Sequence, residues 1–376
     1  MLRRCRNESG VELMNYAELF AGAGGFREGI EQAEGTANCV YANELDRHAA
    51  AVYRHRYGEL VEGDIREQST TTIPDIDFLA AGFPCQSFSL AGKRLGLQDT
   101  RGTLFFEVAR VLADKRPGHF LLENVKGLLS NDGGKTFQVI LRVLSDIGYR
   151  VEWEVLNSTC WVPQNRERVF IIGHSRTECG CQVFPLREDD GIYPEPLRQE
   201  TVANCLDSNY SKGWLDKGQR TMIAETAYTK SNRKASRVRL ADAAGNLDSG
   251  ASQAVSVPIL YHQNKSKTVT PHDEAQALRA GASHSYQGVG LPVVGQRFRR
   301  LTPLECERLQ GWQDNHTALG LYLTSTLPKS KRSENEYTLL PVSDTNRYKM
   351  TGNGVTADVV REIVKKMIMR GCFDLQ

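Results

Sequence analysis

A short apolar run, Tyr16–Phe20, empties into Ala21-Gly22-Ala23-Gly24-Gly25, and a helical stretch follows from Phe26 to about Ala33. Strand, glycine loop and helix in that order constrain the fold more than any other feature of the chain. Glycine lets the backbone turn tightly and approach a ligand, and the helix N-terminus then faces negative charge. Such an entry belongs to open α/β sheets, whose working residues collect at the carboxyl ends of the strands. The spacing is not G-x-G-x-x-G, because Arg27 stands where the third glycine would be. That counts against NAD and FAD, and the loop lacks the Gly-Lys-Ser/Thr of a nucleoside triphosphate site.

A second strand, Cys39–Ala42, ends at Asn43-Glu44, with Glu44 twenty residues beyond Gly24. At that offset an acidic side chain accepts ribose hydroxyls. A third element ends at Gly63-Asp64-Ile65. Each carboxylate alone fits a solvated turn better than a site. Three successive strand ends carrying glycine, Glu and Asp point instead to an adenosyl cofactor without a pyrophosphate, S-adenosylmethionine.

The fourth strand, Asp77–Ala81, closes at Gly82 and Pro84 and delivers Cys85 to the same edge. In Gln86–Asp99 and on to Gly102, glycines alternate with Ser87, Ser89, Lys93, Arg94 and Arg101, the composition of a cationic flap able to close on a phosphate-bearing partner. A lone cysteine is more often a small core residue, so its neighbours decide the matter. Leu104, Phe105, Val108, Val111 and Leu112 keep helical spacing up to Arg116-Pro117. Phe120–Leu122 then brings Glu123 to the edge one strand after Cys85, on an apolar run that raises a carboxyl pKa and suits a proton donor. A further helix carries Phe137, Ile140, Leu141 and Leu144. Strands at Arg150–Leu156 and Val169–Gly173 flank Arg166 and Arg168, whose i, i+2 register aims both to one side, as a surface pair also would.

A chain of 376 residues is long for one core, so two domains are expected. No run approaches membrane-spanning length and the N-terminus lacks the apolar segment of a signal peptide. Nine cysteines without regular spacing suit a reducing compartment, the cytoplasm. Cys179 and Cys181 have no second pair at metal-ligand spacing, so no metal site is expected. The net charge of +2 hides an asymmetry: residues 201–300 hold 14 Lys/Arg against 7 Asp/Glu. A polyanion partner and a solvated basic surface explain that balance equally well.

Six motifs occur in order: Phe20–Gly25, Gly82-Phe-Pro-Cys-Gln-Ser-Phe-Ser89, Glu123-Asn124-Val125, Gln164-Asn-Arg-Glu-Arg168, Arg299–Gly311 and Gly352-Asn-Gly-Val355. Together they resemble the C5-cytosine DNA methyltransferase family, over roughly residues 15–174 and 297–370. The resemblance implies an S-adenosylmethionine-dependent, Rossmann-like α/β doubly wound sheet with a second, smaller target-recognition domain. It implies a methyl transfer to C5 of a cytosine flipped out of duplex DNA at a short specific sequence. Cys85 would be the nucleophile that adds to C6, Glu123 would bond N3 and the exocyclic amine, Arg168 would hold the O2 edge, and Arg166 would help fix the site. Phe20, Gly22, Gly24, Gly25, Glu44, Asp64, Ile65, Pro84, Leu104 and Asn353 match the cofactor positions.

DNA contacts are expected from Gln86, Ser89, Lys93, Arg297, Arg299 and Arg300, and from Arg233, Lys234, Arg237 and Arg239 in the basic segment 190–296, which either read guanines or neutralise phosphate. The division follows: 1–189 the first part of the catalytic domain, 190–340 target recognition, 341–376 the returning part, with the last helix Ala357–Arg370 packed back on the first. The polar insert Asn315–Asn346 is expected to be a flexible loop. The partner is double-stranded DNA, with no membrane, a monomer is expected, and the resemblance leaves room for a cognate restriction endonuclease at the same site. Two rivals stand beside this reading. A tRNA-directed enzyme of the same chemistry fits poorly with so long a segment 190–296, and a catalytically dead DNA-binding subunit fits poorly with intact Cys85, Glu123 and Arg168.

Overall fold

The computed structural model describes residues 14–33, 37–58, 60–84, 104–175, 181–186, 203–206, 221–226, 260–263, 269–271 and 296–373. For the four strands within 221–300 it describes the backbone alone.

Apolar strands and amphipathic helices alternate along the first half: β1 (Met14–Leu19), α1 (Gly25–Ala33), β2 (Ala37–Glu44), α2 (Arg47–Tyr57), β3 (Val61–Glu62), β4 (Phe78–Ala81), α3 (Leu104–Lys115), β5 (His119–Val125), α4 (Lys135–Asp146) and β6 (Tyr149–Asn157). The two-residue β7 (Gln164–Asn165) precedes the long β8 (Glu167–Ser175). One sheet runs in the order β3-β2-β1-β4-β5-β8-β6. Its strands are parallel from β3 to β5, and β8 lies antiparallel between β5 and β6. The order reverses between β1 and β4, so the chain leaves these two neighbours in opposite directions and opens a crevice at their carboxyl ends.

Both faces of the sheet are covered, which is why its strands read as apolar runs. Ala17, Leu19, Leu79, Ala81, Phe120, Leu122, Val169 and Ile171 face one core, with Phe105, Val108 and Leu112 of α3 and Ile140 and Leu144 of α4. Their alternate neighbours Tyr16, Phe78, Ala80, Leu121, Phe170 and Ile172 face the other, with Phe26 and Ile30 of α1. The second core is completed from the far end of the sequence by Val359, Val360, Ile363, Val364 and Met367 of α7 (Ala357–Met369). The last helix therefore packs on the first, as its apolar stripe required. Gly29 makes the approach close: a Cβ there would lie 2.6 Å from the Ala357 carbonyl oxygen.

Beyond β8 come β9 (Ala203–Asn204), paired with β7, and a four-stranded antiparallel sheet. Its strands are β10 (Thr221–Thr226), β11 (Leu260–Gln263), β12 (Val269–Pro271) and β13 (Gln296–Arg300). The chain then forms α5 (Pro303–Leu309), whose start is written in Thr302-Pro-Leu-Glu305: Thr302 and Glu305 cap each other's backbone and Pro303 occupies a position that needs no donor.

The polar insert departs from expectation. Residues 315–346 hold an antiparallel hairpin of β14 (Leu319–Leu323) and β15 (Tyr337–Pro341), followed by the start of α6 (Asp344–Asn353). The Lys/Ser/Asn content that suggested a flexible loop sits in the hairpin's tip, while Leu and Tyr at its flanks pack on α2: Tyr322 and Leu327 bury against Ala51. The Arg54 guanidinium donates to the Leu321 carbonyl at 3.1 Å, and Thr324 and Thr338 hydroxyls meet at 2.7 Å. Among the described residues no helix is long and apolar enough to cross a membrane.

Candidate active site

The carboxyl edge of the sheet gathers the candidates strand by strand. After β1, Phe20 (φ 55°), Gly22 (φ 56°) and Gly24 (φ 91°) turn the chain through left-handed backbone. At Gly24 no other residue fits, since a Cβ would sit 2.3 Å from the Tyr57 ring. Glu44 holds this loop from the next strand: its carboxylate accepts from Gly22 N at 2.7 Å and from Asp46 N at 2.6 Å. Burial pushes the Glu44 carboxyl up from its ordinary value, and those backbone donors oppose the shift. Gly63 N donates to the Glu44 carbonyl at 2.9 Å, which brings Asp64 to the same edge. Asp64 caps a short 3-10 turn and pairs bidentately with Arg66, whose hydrogen bonds hold its carboxyl low. Phe20, Ile65 and Leu104 pack in one apolar cluster with Ala81 at the end of β4. Glycine loop, carboxylates and apolar floor thus stand on three neighbouring strand ends.

The candidate catalytic residues lie one strand over. Cys85 is outside the described residues, as are Gln86, Ser89 and Lys93; the chain leading to it is not. Phe83 is buried and its carbonyl accepts from Asn124 Nδ2 at 2.8 Å, while Pro84 is exposed. Glu123 stands beside that loop: a Cβ on Gly82 would be 3.6 Å from Glu123 Oε2. On the other side Arg168 Nε lies 3.0 Å from Glu123 Oε1. Burial raises the Glu123 carboxyl above its ordinary range, and the Arg168 and Arg166 charges pull the other way. Desolvation wins, so Glu123 retains a proton more readily than a surface carboxylate. An open cleft of about 440 Å³ borders Arg168, lined also by Val125, Lys126, Asn165, Glu167 and Cys205. The larger hollow between α4 and β6, lined by Leu141 and Trp153, is away from these strand ends.

Arg166 and Arg168 converge, since both guanidinium groups reach Cys205 Sγ, but their tasks differ. Arg168 is the partner of Glu123. Arg166 is buried and turned onto backbone, donating to the carbonyls of Leu206 at 3.0 Å, Gly352 at 3.2 Å and Gly354 at 2.5 Å. Burial and the neighbouring Arg168 lower its pKa to about 10. The two glycine carbonyls flank Asn353, which is exposed at the start of the turn into α7. Asn353 is therefore tied to the Glu123 side through Arg166.

Sequence reasoning missed the residues that brace this edge. Trp312 donates to the Val355 carbonyl at 3.2 Å and lies against Gly25 and Gly354. His316, fully buried, meets the Ala23 carbonyl at 2.7 Å, and burial with the Arg56 charge lowers its pKa to about 4. Gln164 bridges Leu309 and Leu206, and Gln310 bridges Thr351 and Thr356. Gln164 and Gln310 stand inside the motifs at 164–168 and 299–311, which was the one signal the sequence offered for them. Of the DNA candidates, Arg233, Lys234, Arg237 and Arg239 lie outside the described residues. Arg297 and Arg299 lie two apart on β13, opposite Glu225 and Ile223 of β10.

Comparison with known proteins agrees with this architecture. The family model of C-5 cytosine-specific DNA methylases matches residues 14–369. Type II methyltransferase M.NlaX of Neisseria lactamica is 33% identical over 355 residues, 93% of this chain and 95% of its own. Type II methyltransferase M.NgoBI of Neisseria gonorrhoeae is 39% identical over 300 residues, 79% and 82% of the two chains. In fold, a mutant DNMT2 from Spodoptera frugiperda superposes with a TM-score of 0.55 at 17% identity, covering 94% of this chain and 99% of that one. The chain belongs to the C-5 cytosine-specific DNA methylase family and is a DNA (cytosine-5-)-methyltransferase.

Proposed function

We propose that the chain methylates C5 of a flipped-out cytosine, within a short specific sequence of duplex DNA, through a covalent bond between Cys85 and C6. The observation that carries this reading is the buried Glu123 carboxyl, set between Arg168 and the Gly82 backbone that leads to Cys85. C5 of cytosine is a poor nucleophile until C6 is attacked. Thiolate addition of Cys85 at C6 makes C5 enamine-like, and a proton held on Glu123 at N3 neutralises the charge that the addition puts on the ring. Arg168 orients Glu123 and faces the O2 edge. After C5 is methylated, loss of its proton and of the Cys85 sulfur restores the aromatic ring. Arg166 and Asn124 are positioning residues in this account, because they hold Gly352, Gly354 and Phe83 by their carbonyls.

The cofactor in this reading is S-adenosylmethionine. The residues fit it: Glu44 offers acceptor oxygens for ribose, Asp64 a carboxylate at the next strand end, and Phe20, Ile65 and Leu104 an apolar wall, with Gly22, Gly24, Gly25, Pro84 and Asn353 at the rim. Bound there, the cofactor supplies an electrophilic methyl group. A stacked base is out of reach of any side chain on the sheet edge, so the cytosine leaves the helix at a cost of about a few kcal/mol. We assign the repayment to phosphate and base contacts from Gln86, Ser89, Lys93, Arg297 and Arg299 and from Arg233, Lys234, Arg237 and Arg239. Residues 190–340 form the recognition part, with its closing hairpin resting on α2, and 1–189 with 341–376 the catalytic part. Bisulfite sequencing of DNA from cells expressing the protein tests the reading. Methylated cytosines confined to one short sequence are expected, and lost in Cys85→Ser. Unmethylated DNA, or methylation without a common sequence, contradicts it.

A further inference from the structure

At the opposite edge of the sheet from Glu123, four nitrogen- and sulfur-bearing side chains meet. His119 opens β5, and His174 is its register partner on β8. Cys181 follows β8, and Cys372 lies just beyond α7. The two imidazole Nδ1 atoms are 3.0 Å apart, Cys181 Sγ is 3.5 Å from His174 Nδ1, and the two sulfurs are 3.0 Å apart. Ligand atoms of His119, His174 and Cys372 all lie within 4.8 Å of one another, and the three residues are buried.

Glu152, behind His174, gives this cluster its direction. His174 Nε2 is 2.6 Å from Glu152 Oε1. Glu152 is itself fixed by the backbone N–H groups of Val183 and Phe184, at 3.0 and 2.9 Å. With Nε2–H donated to Glu152, His174 presents the Nδ1 lone pair to the cluster. A carboxylate behind an imidazole is the arrangement that orients metal-binding histidines. Two thiolates balance the charge of a divalent ion, leaving no net charge in a buried place.

The distances fit a tetrahedron better than a disulfide. Zinc bonds of about 2.1 Å to nitrogen and 2.3 Å to sulfur give tetrahedral edges of roughly 3.4–3.8 Å. A sulfur–sulfur bond is about 2.05 Å. The Nδ1–Nδ1 and sulfur–sulfur separations of 3.0 Å fall short of such an edge by less than about 1 Å, and the 3.5 Å between Cys181 Sγ and His174 Nδ1 already matches one. The ligands are also distributed over the sheet, the strand exit and the chain end, which is why spacing alone excluded a metal.

We propose that His119, His174, Cys181 and Cys372 form a structural Zn(II) site that staples the end of the chain to the rear edge of the sheet. The site fastens α7, which completes a core begun by α1, without touching the catalytic edge. Metal analysis of the full chain, purified under reducing conditions without chelator, should find about one zinc per chain. Replacement by Co(II) should give the intense visible bands of tetrahedral thiolate-bound cobalt. Cys372→Ser and His174→Gln should lose the bands, whereas Cys160→Ser, a buried cysteine elsewhere, should keep them. Should those variants fail to fold, the parent decides: a strong chelator should lower its Tm and Zn(II) restore it. The proposal is overturned if the folded parent takes up neither Zn(II) nor Co(II), if Cys372→Ser binds as the parent does, if the chelator leaves Tm unchanged, or if a Cys181–Cys372 disulfide is recovered.

Discussion

Individual buried charges set the chemistry of this edge and part of its stability. Arg166 keeps its charge inside the protein because three carbonyl oxygens receive it, and the Glu123 carboxyl is pushed above its ordinary range because desolvation outweighs two arginines. Glu18, in the middle of β1, follows the same physics away from the site. It is fully buried, accepts from the Tyr53 hydroxyl at 3.1 Å, and burial pushes its pKa from 4.5 to about 8. The folded chain therefore holds a proton that the unfolded chain releases between those values. This group's contribution to stability is full below about pH 4.5 and falls as pH rises toward 8, by up to about 1.4 kcal/mol per pH unit. Urea unfolding of Glu18→Gln and parent at several pH values across that window measures the difference. The Gln variant should gain on the parent as pH rises; parallel curves would show that Glu18 is ionised in the folded state.

At the scale of elements, close backbone approach decides where helices sit. The Cβ of alanine at Gly29 would meet the Ala357 carbonyl oxygen at 2.6 Å and Val360 Cβ at 2.7 Å, neither of which is the end of a flexible side chain. Gly29→Ala should therefore push α1 from α7 and cost about 1–3 kcal/mol. At Gly127 the nearest atom is 4.0 Å away, and Gly127→Ala should stay within about 0.5 kcal/mol. Thermal unfolding of both compares them, and equal Tm values would contradict the α1–α7 packing. Much at this scale was legible in the sequence: strand, loop and helix around Gly22–Gly25, the strands ending at Glu44, Asp64 and Glu123, and the return of α7 all follow from periodicity and punctuation. The hairpin at 319–341 was not, because its polar tip outweighed two short apolar flanks whose partner, α2, is far away in sequence. Gln164, Trp312 and His316 were hidden for the same reason, since a buried polar residue reveals its task only when its carbonyl partner is known.

For the whole molecule, the central claim is that the chain is organised around Cys85, with Glu123 and Arg168 waiting on the neighbouring strands and the last helix closing the cofactor edge. The sheet's second core draws on both ends of the sequence, and Arg166 ties the start of β8 to the chain before α7 through the Gly352 and Gly354 carbonyls. Fluorine at C5 tests the claim most directly, because the enzyme cannot remove fluorine as it removes the C5 proton. A duplex carrying that base at the target cytosine should be methylated once and then remain bonded to the protein, in a denaturation-resistant complex that requires S-adenosylmethionine. Mass spectrometry of the joined peptide is the measurement. The account predicts a peptide containing Cys85, and no adduct in Cys85→Ser. An adduct on Cys160 or Cys306, or methylation of ordinary cytosine with no adduct at the fluorinated base, would contradict it.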